Sequence, residues 1–150
     1  MTRPRARSLR YLWAAPASAV GLLPAALACM LGASARVADG VLEVAGGKLA
    51  RWVGAAPGRG GFVAITFGHV VIGQSHEVLA DLRAHEHEHV RQYERWGVLF
   101  FAAYLGSSAV QWLSGRSAYE NNRFECQARA AAVAAGQPPA LPTPQPTPQR

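Results

Sequence analysis

Residues 11–32 carry no charge over 22 consecutive positions in a chain of 150. Such a stretch has to leave water. It enters a bilayer, for which about 20 residues suffice, or it packs against a protein core. Arg3, Arg5, Arg7 and Arg10 precede it. Tyr11 and Trp13 at its start suit a membrane–water boundary. Pro16 and Pro24 would kink a spanning helix without forbidding it. Length and flanking charge favour a signal anchor. A signal peptide cleaved at the small-x-small site Ala33-Ser34-Ala35 is an alternative, although the apolar region exceeds the usual 7–15 or so residues. A lipobox ending at Cys29 fits less well, because Leu27 stands where a small residue is wanted. In each case the arginine-rich end stays in the cytoplasm and the remainder is exported. A kinked helix buried on the rest of the chain is the competing structural explanation.

Residues 85–89 read His-Glu-His-Glu-His. They contain one His-Glu-x-x-His motif: His85, Glu86 and His89. Positions i and i+4 share a helix face, so His85 and His89 can hold one zinc ion. Glu86 is placed to take a proton from water activated by that ion. His87 and Glu88 point elsewhere on the helix and are not counted as ligands. The run from Glu77 to Trp96 lacks Pro and Gly, which predicts an uninterrupted helix through the motif. The bland alternative is a His-rich surface turn that binds metal adventitiously.

A catalytic tetrahedral site needs a third protein ligand and leaves the fourth position to water. Glu125 is the best candidate, in a stretch that opens an Ala-rich helix running to about Ala135 and stopping at Gly136. Asn122-x-x-Glu125 is also a capping-box pattern, in which Glu125 would only reach back to the Asn122 amide. Glu120 and Glu94 are weaker ligand candidates. Peptide hydrolysis would also want a donor for the developing oxyanion. Tyr119, Tyr104 and His69 are the candidates, with Tyr119 and His69 preferred. Gln92 and Arg91 are assigned supporting or packing roles.

His85-Glu86-x-x-His89-Val90-Arg91-Gln92-Tyr93, Trp96-Gly97-x-Leu99-Phe100, Tyr104-Leu105, Tyr119 and Asn122-x-Phe124-Glu125-x-x-Ala128 together resemble the small bacterial zincins of the gluzincin type. The likeness covers about residues 60–133. It implies that His85, His89 and Glu125 are zinc ligands, that Glu86 is the general base, and that a peptide or protein is the substrate. The segment Phe62–Ile72 is similar to the strand that borders the substrate cleft in such proteins. Arg123 stands where comparable proteins often carry Pro, and His87 and Glu88 are unusually polar for the middle of the motif.

The remaining sequence points to an α+β fold. A small antiparallel sheet accompanies a helical core holding the His-Glu-x-x-His helix and the later Glu-bearing helix, all preceded by the N-terminal hydrophobic helix. Three segments are expected: 1–35, basic segment and membrane or signal helix; 36–135, a minimal zincin-like domain; and 136–150, a disordered Pro-rich tail. Asp39-Gly40 between alternating residues predicts a hairpin. Residues 54–61 form a Gly-rich loop, and 62–72 read as one buried strand. Val98–Leu113 is apolar but broken by Ser107, Ser108 and Gln111, so it is expected as a core helix and not a second span. The tail from Gln137 onward alternates Pro, Thr and Gln and is expected to be extended, with no catalytic part. The net charge is +6, and 14 of the 15 basic residues are Arg. They are front-loaded or scattered, so no nucleic-acid partner is expected. Cys29 and Cys126 form no disulfide framework; Cys126 is expected as a buried structural thiol.

Overall fold

A computed structural model describes residues 4–48 and 63–138. The expected loop over 54–61 and the tail from 139 onward lie outside the described residues. Helix α1 (Pro4–Met30) leads into strands β1 (Ala33–Ala38) and β2 (Val41–Gly46). Strands β3 (Ala64–Phe67) and β4 (Val70–Gly73) follow, then helices α2 (His76–Asp81), α3 (Arg83–Trp96), α4 (Leu99–Leu113) and α5 (Arg123–Ala134). The fold is α+β, as expected, with an N-terminal apolar helix.

The sheet order is β1-β2-β4-β3. Two antiparallel hairpins flank a parallel β2–β4 pair, so the sheet is mixed and not purely antiparallel. The first hairpin turns at Asp39-Gly40, with φ of 51° and 85°. Positive φ at both central residues is what the Asp-Gly signal requires. The run 62–72 is not one strand. It folds back at Gly68-His69, where Gly68 has φ 57°. A Cβ on Gly68 would sit 2.7 Å from the backbone nitrogen of Ser18. Only glycine can both make this turn and let α1 approach so closely.

The two central strands are buried on both faces. Val44 and Val70 pack against Ala25 and Ala28 of α1. On the opposite face Val41, Ala45 and Val71 pack against Leu79 of α2 and Val90 of α3. Glu43 shares that second face and is 2% exposed. Arg36 and Arg83 hold its carboxylate at 2.8 and 3.0 Å. Burial pushes the Glu43 pKa up, but these hydrogen bonds and charges outweigh it and hold it below the ordinary value.

Helix α1 is therefore packed on the core along one face. Its packed face is a stripe of small residues: Ala14, Ala17, Gly21, Ala25 and Ala28. A Cβ on Gly21 would lie 2.6 Å from the Phe67 side chain. The Tyr11 hydroxyl donates to the Gly40 carbonyl at 2.8 Å, and the His69 amide donates to Ser18 Oγ at 2.9 Å. The sheet thus lies beside α1 instead of beyond its C-terminal end. The outward face keeps Leu12, Leu23 and Met30 72–83% exposed. Ser8–Met30 is long and apolar enough to cross a membrane or to act as a signal sequence.

The expected single helix over 77–96 is divided at Leu82 (φ −98°, ψ 3°). The cause is distant in sequence. The Gln137 amide sits in the place of one helical hydrogen bond. Its Nε2 donates to the Ala80 carbonyl at 2.9 Å, and its Oε1 accepts from the Ala84 amide at 2.7 Å. A side chain inserted in the i→i−4 ladder breaks a helix in this way. Gln137, assigned to the disordered tail on sequence, is thereby fixed in the fold.

Candidate metal centre

Helix α3 presents His85 and His89 one turn apart, and α5 packs across it to bring in Glu125. The three side chains are buried, at 2%, 8% and 3% exposure. His85 Nε2 lies 3.2 Å from His89 Nε2 and 3.3 Å from Glu125 Oε2. His89 Nε2 lies 3.4 Å from Glu125 Oε1. This buried His-His-Glu group could hold a metal ion. Glu125 Oε2 is buried, and His85 Nε2 approaches it at 3.3 Å without a well-aligned hydrogen bond.

Neighbouring groups orient the three ligands. His89 Nδ1 lies 2.9 Å from Gln92 Oε1; as the donor there, it turns the Nε2 lone pair toward the group. Gln92 Nε2 in turn donates to the Phe124 carbonyl at 3.1 Å, tying α3 to α5. The Tyr104 hydroxyl donates to Glu125 Oε1 at 2.7 Å. Asn122, fully buried, caps α5 by accepting from the Phe124 amide. It also donates to the Tyr104 carbonyl and to Ser108 Oγ on α4. The cap forms without Glu125, whose carboxylate faces the histidines, so the capping-box explanation of Glu125 fails.

Electrostatics bind the group together. Burial alone would lower the His89 pKa; hydrogen bonding to Glu125 and the charges of Glu86 and Glu125 raise it to about 9. Burial would raise the Glu125 carboxyl, but the two histidines and Tyr104 hold it far below the usual carboxylate range. Burial, then the Glu125 charge, push the Tyr104 and Tyr119 hydroxyls well up, so both stay protonated donors. In the metal-free protein a proton on His89 does the work of a cation. Its stabilisation is complete below the unfolded value near 6.5 and is lost as pH rises through about 9. A metal must displace that proton. Binding at pH 7 should therefore release about one proton, and affinity should climb with pH up to about 9. Calorimetry in buffers of different ionisation enthalpy measures this; a buffer-independent heat would contradict it.

Glu86 is buried beside the group, and Thr66 Oγ1 on β3 donates to its Oε2 at 2.7 Å. Tyr119 is close enough for its hydroxyl to be shifted by the charges of Glu125 and Glu86. His69 is placed elsewhere. Its ring stacks on Tyr11 with centroids 3.9 Å apart, and its Nε2 lies 3.2 Å from Glu94. Glu94 is eight residues beyond Glu86, about 12 Å along the helix. His69 therefore belongs to the α1 contact and is not brought to the ligand group. Glu94 is likewise occupied, by His69 and by Arg10 at 3.6 Å. Arg91 pairs with Glu88 at the surface, and Cys126, expected buried, is exposed because it lies on the outer side of α5 beside Glu120. Thr66 escaped the sequence, because a Thr in an apolar strand gives no sign of its partner on a distant helix. Comparison with protein-family models, with curated proteins and with solved structures returns no match.

Proposed function

We propose that this chain is a membrane-bound zinc metallopeptidase of the gluzincin type. One observation carries the proposal. His85 Nε2 and His89 Nε2 stand 3.2 Å apart, the two oxygens of Glu125 approach them at 3.3 and 3.4 Å, and one ligand atom from each residue lies within 4.8 Å of the others. Metal–ligand bonds of about 2.0–2.2 Å in a tetrahedron put neighbouring ligand atoms about 3.3–3.6 Å apart. The histidine nitrogens are close to that spacing, and a donor set of two imidazoles and one carboxylate suits zinc chemically. When bound there, zinc supplies a Lewis acid that polarises a scissile carbonyl and acidifies water.

The remaining steps fall to the chain's own residues. Glu86 accepts the proton of the attacking water and returns it to the leaving amine. Thr66 holds one oxygen of that carboxylate and so fixes its aim. Tyr119, kept protonated, is the candidate donor to the oxyanion. Tyr104 is committed to Glu125 and positions the ligand. Strand β3 lies at the sheet edge and carries Thr66. An extended peptide pairing with that edge would run beside Glu86. Helix α1 supplies the membrane association, and its arginine-bearing end lies on the cytoplasmic side. Two of the three core clusters contain α1 residues, which favours a retained helix over a cleaved one.

The alternative is a non-catalytic membrane-associated protein whose zinc is structural or vestigial. The presence of three donors in the group, among the described residues, favours the hydrolytic proposal. A closed structural site has four protein ligands. X-ray absorption on the zinc-loaded full-length protein should find two imidazoles, one carboxylate and one exchangeable light atom. Four protein ligands, or a protein that takes up no zinc, would sink the proposal.

A further inference from the structure

We infer that α4 is a second lipid-facing element, its outward face lying in the hydrocarbon beside α1. The polarity of α4 is inverted. A surface helix of a soluble protein turns its polar residues to water and its apolar ones inward. Here Ser107 and Ser108 face the protein: Ser107 Oγ accepts from the Arg123 amide and Ser108 Oγ from Asn122. The outward positions are Val98, Leu99, Leu105, Val110, Trp112 and Leu113, between 51% and 76% exposed. Ser114, near the end, satisfies its hydroxyl on the Val110 carbonyl of its own helix. The serines that interrupt the apolar run in sequence therefore do not interrupt the outward face.

Helix α1 shows the same inversion. Its polar Ser18 points inward to His69, and no charged residue occurs on its outward face after Arg10. The two helices meet where α4 begins. A Cβ on Gly97, at the start of α4, would meet the Trp13 ring at 2.8 Å. Ala14 and Ala17 of α1 share a buried cluster with Phe100 of α4, and Phe101 packs on it. Both ends of α4 carry residues that suit a membrane–water boundary. Arg10 pairs with Glu94 where α4 begins, near Arg95 and Trp96. Trp112 and Arg116 close the other end. No charged residue lies between Val98 and Gly115. The 15 helical residues of α4 reach about 22 Å, so the helix enters a hydrocarbon layer of about 30 Å without having to cross it. Acyl chains are the occupant that accepts two uncharged, large-residue faces bracketed by Trp and Arg.

The test uses the full-length protein in phosphatidylcholine–phosphatidylglycerol vesicles. Cys29 and Cys126 are replaced by Ser, and a bimane is attached at Leu105→Cys or Val110→Cys, with Arg91→Cys on exposed α3 as the aqueous control. Circular dichroism confirms that each labelled protein is folded. Bimane at 105 and at 110 should lose most of its fluorescence to lipids with spin-labelled acyl chains and little to iodide. Position 91 should show the reverse. Iodide quenching at 105 and 110 equal to that at 91 would overturn the inference and leave α1 as the sole membrane contact. Protection from both quenchers would also overturn it, because a second protein copy would then cover α4. None of these readouts depends on zinc or on hydrolysis.

Discussion

Replacing Glu86 with Gln should leave zinc bound while any peptide hydrolysis falls by roughly 10²-fold or more, the usual contribution of a positioned general base. The substitution keeps side-chain size. Its amide oxygen can still accept from Thr66 Oγ1, now 2.7 Å from the carboxylate, so the buried site keeps its hydrogen bond. Basicity and the negative charge beside His89 are lost. His85→Ala and His89→Ala should behave differently, because each removes a donor from the buried triangle and so removes the metal. Glu125→Gln should weaken zinc and keep part of it, since an amide oxygen is a poorer, uncharged ligand. Metal analysis of the purified proteins separates these outcomes before any substrate is known. If Glu86→Gln loses zinc as fully as His85→Ala, Glu86 supports or ligates the metal and the assignment of a base is wrong.

What the sequence revealed of the site and fold divides by range. The His-Glu-x-x-His spacing and the Asp39-Gly40 turn are local signals, and both are realised at the expected positions. Glu125 could be nominated, but its capping alternative had to be settled by which way α5 faces. The parallel β2–β4 pairing was not legible, because register between strands so far apart is set by packing on α1 and α3. The turn at Gly68-His69 was hidden in a run whose neighbours are all strand formers. The break at Leu82 was illegible for a sharper reason: the residue that makes it, Gln137, lies more than 50 positions away. Ser107 and Ser108 misled in the opposite direction. They counted as interruptions of an apolar helix until their inward direction was seen.

That inward polar seam is also where stability and the metal centre meet. Asn122 is 0% exposed and makes three hydrogen bonds: from the Phe124 amide, to the Tyr104 carbonyl and to Ser108 Oγ. Asn122→Ala removes the α5 cap, worth about 1 kcal/mol. It also leaves buried α4 acceptors without their donor, at a cost of about 1–3 kcal/mol. The expected loss is roughly 2–4 kcal/mol in denaturant unfolding of the metal-free protein. Zinc affinity should fall as well, because Asn122 holds the first turn of α5 against α4, and that turn carries Glu125. Asn122→Ser separates the two contributions. It keeps a capping oxygen but has no amide to reach Tyr104 and Ser108. It should recover about 1 kcal/mol of the stability, the capping share, and little of the zinc affinity. If Asn122→Ser instead restores wild-type zinc affinity, the ties to α4 do not position Glu125. The capping oxygen alone would then set where the ligand stands.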